Sequence, residues 1–124
     1  MGRSRTNMLG SGIAALTTLS IAGTHSDNLT ATGSGQSDAL ALPSDNNVIT
    51  TTAASTGVRL SANASPSDEV VVCNLGANTL SVYPPSGGKI QAGATDAAFS
   101  VASNKTATFI ARGTAGQWIA KLSA

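Results

Sequence analysis

The chain has 124 residues and a net charge of +1, with charged side chains at only 10% of positions; this is the length of one domain and too short for two cores of ordinary size. Its seven Lys and Arg are scattered, which excludes the clustered basic footprint of a nucleic-acid binder. Ala, Ser, Thr and Gly supply 65 residues while Leu, Ile, Val and Phe supply 25, so core material is scarce. Low net charge argues against plain disorder, and burial is expected to be completed against copies of the chain or a partner.

At the N-terminus, Arg3 and Arg5 precede a moderately apolar stretch, and Ser20-Ile21-Ala22 has the small-x-small form of a secretory cleavage site. Gly10, Ser11, Gly12, Thr17, Thr18 and Ser20 dilute that stretch, so the expectation is an N-terminal arm with a short strand at residues 19–22. No run approaches the ~20 apolar residues of a membrane span, and no membrane partner is expected. Between Arg5 and Arg59 the chain has no Lys or Arg, only the acids Asp27, Asp38 and Asp45. Turn signals at Gly33-Ser34-Gly35 and Pro43-Ser44-Asp45-Asn46-Asn47 bracket two short strands, residues 39–42 and 48–52. Residues 1–56 therefore read as an extended N-terminal arm carrying one or two short strands.

Residues 57–124 read as the body, with turn signals about every ten residues. Residues 57–60 alternate. Residues 69–75 form a near-continuous apolar run, the pattern of a central strand covered on both faces. Cys73 falls within it and reads as a small buried hydrophobe. Leu75-Gly76-Ala77-Asn78 turns the chain into residues 79–83, and Pro84-Pro85 ends that strand. Gly87-Gly88 reverses into residues 89–92. Phe99 and Val101 share a face of the next strand; Ala107, Phe109 and Ala111 share a face of residues 106–112; residues 117–122 form the last strand. Spacing is two throughout, with no helical period. The fold class expected is all-β: a small antiparallel β-sandwich or barrel-like meander with an extended N-terminal arm.

Catalytic and metal chemistry find little support. His25 is the only histidine, in a polar stretch, with no Gly-x-Ser-x-Gly elbow. One His and one Cys fall short of a zinc set. Asp68 and Glu69 are adjacent at a strand start, where neighbouring side chains diverge. No enzyme activity, no metal and no cofactor is expected. Of the four aromatic residues, Phe99 and Phe109 sit on apolar faces, Trp118 reads as core or interface, and Tyr83 beside Pro84-Pro85 is the best candidate for exposure.

The order of residues from Gly57 to Leu122 carries a resemblance. Gly57-Val58-Arg59-Leu60, Asp68 to Asn78, Leu80-Ser81-Val82-Tyr83-Pro84, Gly87-Gly88-Lys89-Ile90, Lys105 to Phe109 and Trp118-Ile119-Ala120 together resemble a small β module of tailed-bacteriophage virion structural proteins. Its most recognisable piece is the Asn-x-Gly-Ala-Asn hairpin at Asn74–Asn78 followed by Val82-Tyr83-Pro84. Ser61 stands where the module often has proline, and Gln91-Ala92-Gly93 replaces a common Asn-Gly turn. The resemblance covers about half of the chain. It implies a capsid decoration (cement) protein that binds the outer head surface as a homo-oligomer, a trimer, against the major capsid protein. The alternative it leaves open is a tail, baseplate or head-fibre protein with a receptor-binding role. Leu19 and Ile21 of the arm, with Tyr83 and Trp118 of the body, are the candidate interface residues.

Overall fold

A computed structural model describes residues 24–114 and 116–123. Within them the chain is all-β, with ten strands: β1 His25–Thr30, β2 Leu40–Ala41, β3 Asn46–Thr51, β4 Gly57–Arg59, β5 Glu69–Asn74, β6 Leu80–Tyr83, β7 Lys89–Ile90, β8 Phe99–Val101, β9 Lys105–Ala111 and β10 Gln117–Leu122. A six-stranded sheet has the order β1-β3-β5-β9-β10-β7, and a four-stranded sheet the order β2-β4-β6-β8.

The first six strands alternate between the sheets, and each lies parallel to the strand two before it. His25 pairs with Asn46 and Asn46 with Val71 in one sheet; Leu40 pairs with Val58 and Val58 with Val82 in the other. The chain thus winds as stacked coils, in the manner of a solenoid. After β6 it turns back: β8 runs antiparallel to β6, β9 to β5 and β10 to β9, and β7 completes the large sheet beside β10. The sheets are therefore mixed, where a meander would have paired sequential strands in antiparallel fashion. Two-residue periodicity marks which face of a strand is buried, and it carries no information on whether the next strand pairs or crosses to the opposite sheet.

One apolar layer joins the sheets. Ile49, Val72, Ala107, Phe109 and Trp118 come from the larger sheet, and Val58, Leu80, Val82 and Val101 from the smaller, all buried. In β9 the alternation is complete: Ala107, Phe109 and Ala111 point inward while Thr106, Thr108 and Ile110 lie on the other face, half-buried. Phe109 meets Phe99 edge to face, with ring centroids 5.6 Å apart at 89°, the arrangement that sets a ring edge against a π-face.

Residues 24–56 supply β1, β2 and β3 to these sheets, and Ile49 of β3 is fully buried. The expected strands at 39–42 and 48–52 correspond to β2 and β3. β1 is a strand where polar loop was expected around His25, because its ladder is made of backbone groups, whatever the polarity of HSDNLT. Its register is broken between Ser26 and Thr30, and Asn28 sits there at φ 54°; asparagine tolerates that left-handed conformation better than most residues. β5 is central, but only one of its faces is covered: Val72 is buried, while Val71 and Cys73 are half-buried on the outer side. The expectation of cover on both faces, with Cys73 in the core, fails because no third layer packs there among the described residues. The segment at 19–22 lies outside the described residues.

Phe109→Ala should lower stability by about 3–5 kcal/mol, the cost of a large cavity at a site with no spare apolar groups nearby. Urea unfolding followed by Trp118 fluorescence measures it.

Candidate functional site

The described residues bring together no three His, Cys, Asp or Glu side chains that could hold a metal ion. His25 is exposed on the edge strand. Three surfaces remain: the corner around Asn74, the outer face of the six-stranded sheet, and a groove beside Arg59.

The corner is the Asn-x-Gly-Ala-Asn segment. Asn74 is fully buried, and its amide uses every hydrogen-bonding position it has. Nδ2 donates to the carbonyls of Asn78 (2.8 Å) and Val101 (2.9 Å), while Oδ1 accepts from the Thr52 hydroxyl (2.8 Å) and the Gly76 amide (3.0 Å). Asn78 in turn donates to the Thr52 carbonyl at 2.9 Å. Gly76 is required because a Cβ there would overlap the Thr52 side chain, including its hydroxyl oxygen. Asn47 does similar work one coil earlier: Nδ2 donates to Ser44 (2.8 Å) and Val71 (3.3 Å) carbonyls, and Oδ1 accepts from the Ser44 amide (3.2 Å). The most recognisable motif of the sequence is thus a bracket between coils, built from buried amides that would cost several kcal/mol if unpaired.

The outer face of the large sheet follows from register. Val48, Cys73 and Thr106 lie in one cross-strand row; Asn46, Val71, Thr108 and Lys121 in the next; Glu69, Ile110 and Ile119 in a third. Five apolar side chains, Val48, Val71, Cys73, Ile110 and Ile119, share this face with Thr106 and Thr108. Its charges are one acid, Glu69, and two bases, Lys121 and, at the β7 edge beside Gln117, Lys89. Ile119 is 43% exposed. Of the residues first put forward for an interface, Trp118 is 2% exposed and belongs to the core. Tyr83 is half-buried, with its ring close over Gly57, where a Cβ would stand 2.8 Å from a ring carbon. Leu19 and Ile21 lie outside the described residues.

The groove runs between the loops at one edge of the smaller sheet. A hollow of about 540 Å³ is bordered by Gln36, Ser37, Leu42, Arg59, Pro85 and Ser86 among others. A second, of about 250 Å³, reaches Asp45, Asp68, Val70 and Trp118. Leu42, Leu60 and Ser61 line both, so the two hollows adjoin. Arg59 is held in it by the preceding coil: Nη1 donates to the carbonyls of Gln36 (3.0 Å) and Ser37 (3.2 Å). Gln36 is tied down in turn, its Nε2 donating to the Pro84 carbonyl (2.8 Å) and Asp96 Oδ1 (2.9 Å).

The loop carrying Gln36 and Ser37 is folded around Asp38, whose Oδ1 accepts from the amides of Ser34 (3.1 Å) and Gly35 (3.0 Å). Those two amides, Ser34's first, hold the Asp38 carboxyl below its usual value of 3.8. A depressed carboxylate contributes order that is complete above its ordinary pKa and is lost as pH falls through the lowered folded value. The Ser34 and Gly35 amide resonances should therefore stay constant from neutral pH down past 3.8 and move only in stronger acid. Movement centred at or above pH 3.8 contradicts this. At the corner, Asn74→Ala should cost about 3–4 kcal/mol, since it strands several partners at once; a loss under about 1 kcal/mol in chemical denaturation contradicts the bracket.

The chain matches no known protein-family model and no curated protein sequence.

Proposed function

We propose that the protein is a virion structural subunit, a capsid decoration protein that binds the outer head surface as a symmetric trimer and stabilises the shell. In this reading a compact β body lies on the major capsid protein, the N-terminal residues reach a neighbour as an arm, and no catalytic step is involved. The observation that carries it is the outer face of the six-stranded sheet. Four strands contribute rows of Val, Ile, Cys and Thr, with Glu69, Lys121 and the edge residue Lys89 as the charges of the face, and β-branched side chains on a pleated surface make a flat, stiff contact area. A stable interface removes roughly 800 Å² per partner, and a face of this kind supplies nonpolar area at small entropic cost. The scarcity of bulky groups in the chain supports the same reading, because contact with copies adds burial that a single small core lacks. The resemblance of residues 57–122 to phage virion modules gives the setting.

The tail, baseplate or head-fibre reading, with a receptor-binding role, is favoured by the groove beside Arg59, since concave sites with convergent polar groups take ligands.

Multi-angle light scattering should give the mass of a trimer at micromolar concentration, and cryo-electron microscopy of virions carrying the chain should place it on the head. Val71→Lys, at the centre of the face, should weaken self-association or head binding by at least about tenfold, near 1.4 kcal/mol, with little change in unfolding midpoint. A dilute monomer that is indifferent to Val71→Lys, or density on the tail, overturns the decoration reading.

A further inference from the structure

We propose that the groove beside Arg59 is the docking site for an extended segment of a partner protein that presents a carboxylate to the Arg59 guanidinium and a basic side chain to the opposite end. The inference names a partner chemistry for the assembly described above, and rests on that reading for the occupant being protein.

The argument begins with hydrogen-bond supply. A guanidinium has five N–H donors in a planar fork. Both side-chain bonds of Arg59 leave from Nη1, to the Gln36 and Ser37 carbonyls, and among the described residues no carboxylate pairs with it. Among the described residues Nε and Nη2 have no acceptor, while the two carbonyls fix the side chain in place. That arrangement removes the rotamer entropy an arginine normally loses on binding, and leaves an edge of the fork for a carboxylate. Arg59 is also the first Lys or Arg after Arg5 in the sequence.

The rest of the groove selects the kind of molecule that brings the carboxylate. Its nonpolar floor is offered by the half-buried Leu42 and Val70. An inorganic anion has no use for such a floor, whereas nonpolar side chains of a peptide do. A sugar acid would gain most from an exposed ring, and the only ring lining the groove, Trp118, is 2% exposed. The far end carries Asp45 and Asp68. Charge therefore changes sign along the groove: an acidic side chain suits the Arg59 end, a basic one the Asp end, and the reverse orientation is repelled.

The test titrates the ¹⁵N-labelled full-length protein with the blocked peptide acetyl-Lys-Ala-Val-Leu-Glu-amide and with its reversed sequence. Amide shifts should appear at Leu42, Leu60, Ser61 and Ser86 for at least one of them. The same peptide with Gln for Glu should bind at least about fivefold more weakly. Arg59→Gln should abolish that preference. Ser86→Asp, an exposed rim substitution that keeps both carbonyl bonds of Arg59, should weaken the Glu peptide about fivefold with an otherwise unchanged spectrum; it serves if Arg59→Gln does not fold. The proposal is overturned if millimolar peptide leaves the groove amides unmoved, if Glu and Gln peptides bind alike, or if glucuronate alone binds as well as the peptide. The titration uses the isolated protein, and Val71→Lys should leave it unaffected, so its failure is separable from a failure of head binding.

Discussion

Most bulky side chains among the described residues face inward, although Leu75, Ile119 and Leu122 are exposed. A single layer, with Ile49, Val72, Phe109 and Trp118 on one side and Val58, Leu80, Val82 and Val101 on the other, is all that holds two sheets together. The strands that carry these residues are short, and polar alternation fills the positions between them. Coiling the chain so that each new strand lies on the last lets small residues be useful: Ala31, Ala107 and Ala111 are buried against neighbours, where larger groups would not fit between closely stacked coils.

Buried amides hold the coils in step. Hydrophobic contact has no direction, so an apolar layer alone would permit one strand to slide past its neighbour. Asn47 and Asn74 remove that freedom, since each fits only where specific carbonyls and amides converge. The same logic operates at Arg59 and Gln36, where side chains of one loop are fastened to the backbone of another. In a chain with little nonpolar contact to spare, polar groups supply the geometric specification and the apolar layer supplies the driving force.

Much of this was legible in the sequence, and the limits have a physical cause. The inward set Ala107, Phe109 and Ala111 follows from alternation, and the turn at Gly76 from local chemistry, because both are encoded within a few residues. Parallel pairing was not legible, because the strands that pair are separated by a complete coil and no local pattern records it. β1 was missed because its residues are polar and its ladder is backbone alone. The groove was missed for a similar reason: Leu42, Arg59, Asp68 and Ser86 are far apart in the chain and meet only through coiling. One signal did point there, the solitary base between Arg5 and Lys89, though without a partner in the sequence it had no meaning. The Asn-x-Gly-Ala-Asn motif was legible as a feature, and its role as a bracket between coils emerged only from the bonds it makes.

Stacked parallel coils carry an inherent hazard, since one more strand from any source could extend them without limit. The break in β1 around Asn28 and the two-residue length of β2 spoil that end as a template. Growth of an open filament is thereby discouraged, and copies that meet through other surfaces are free to close into a ring of fixed size.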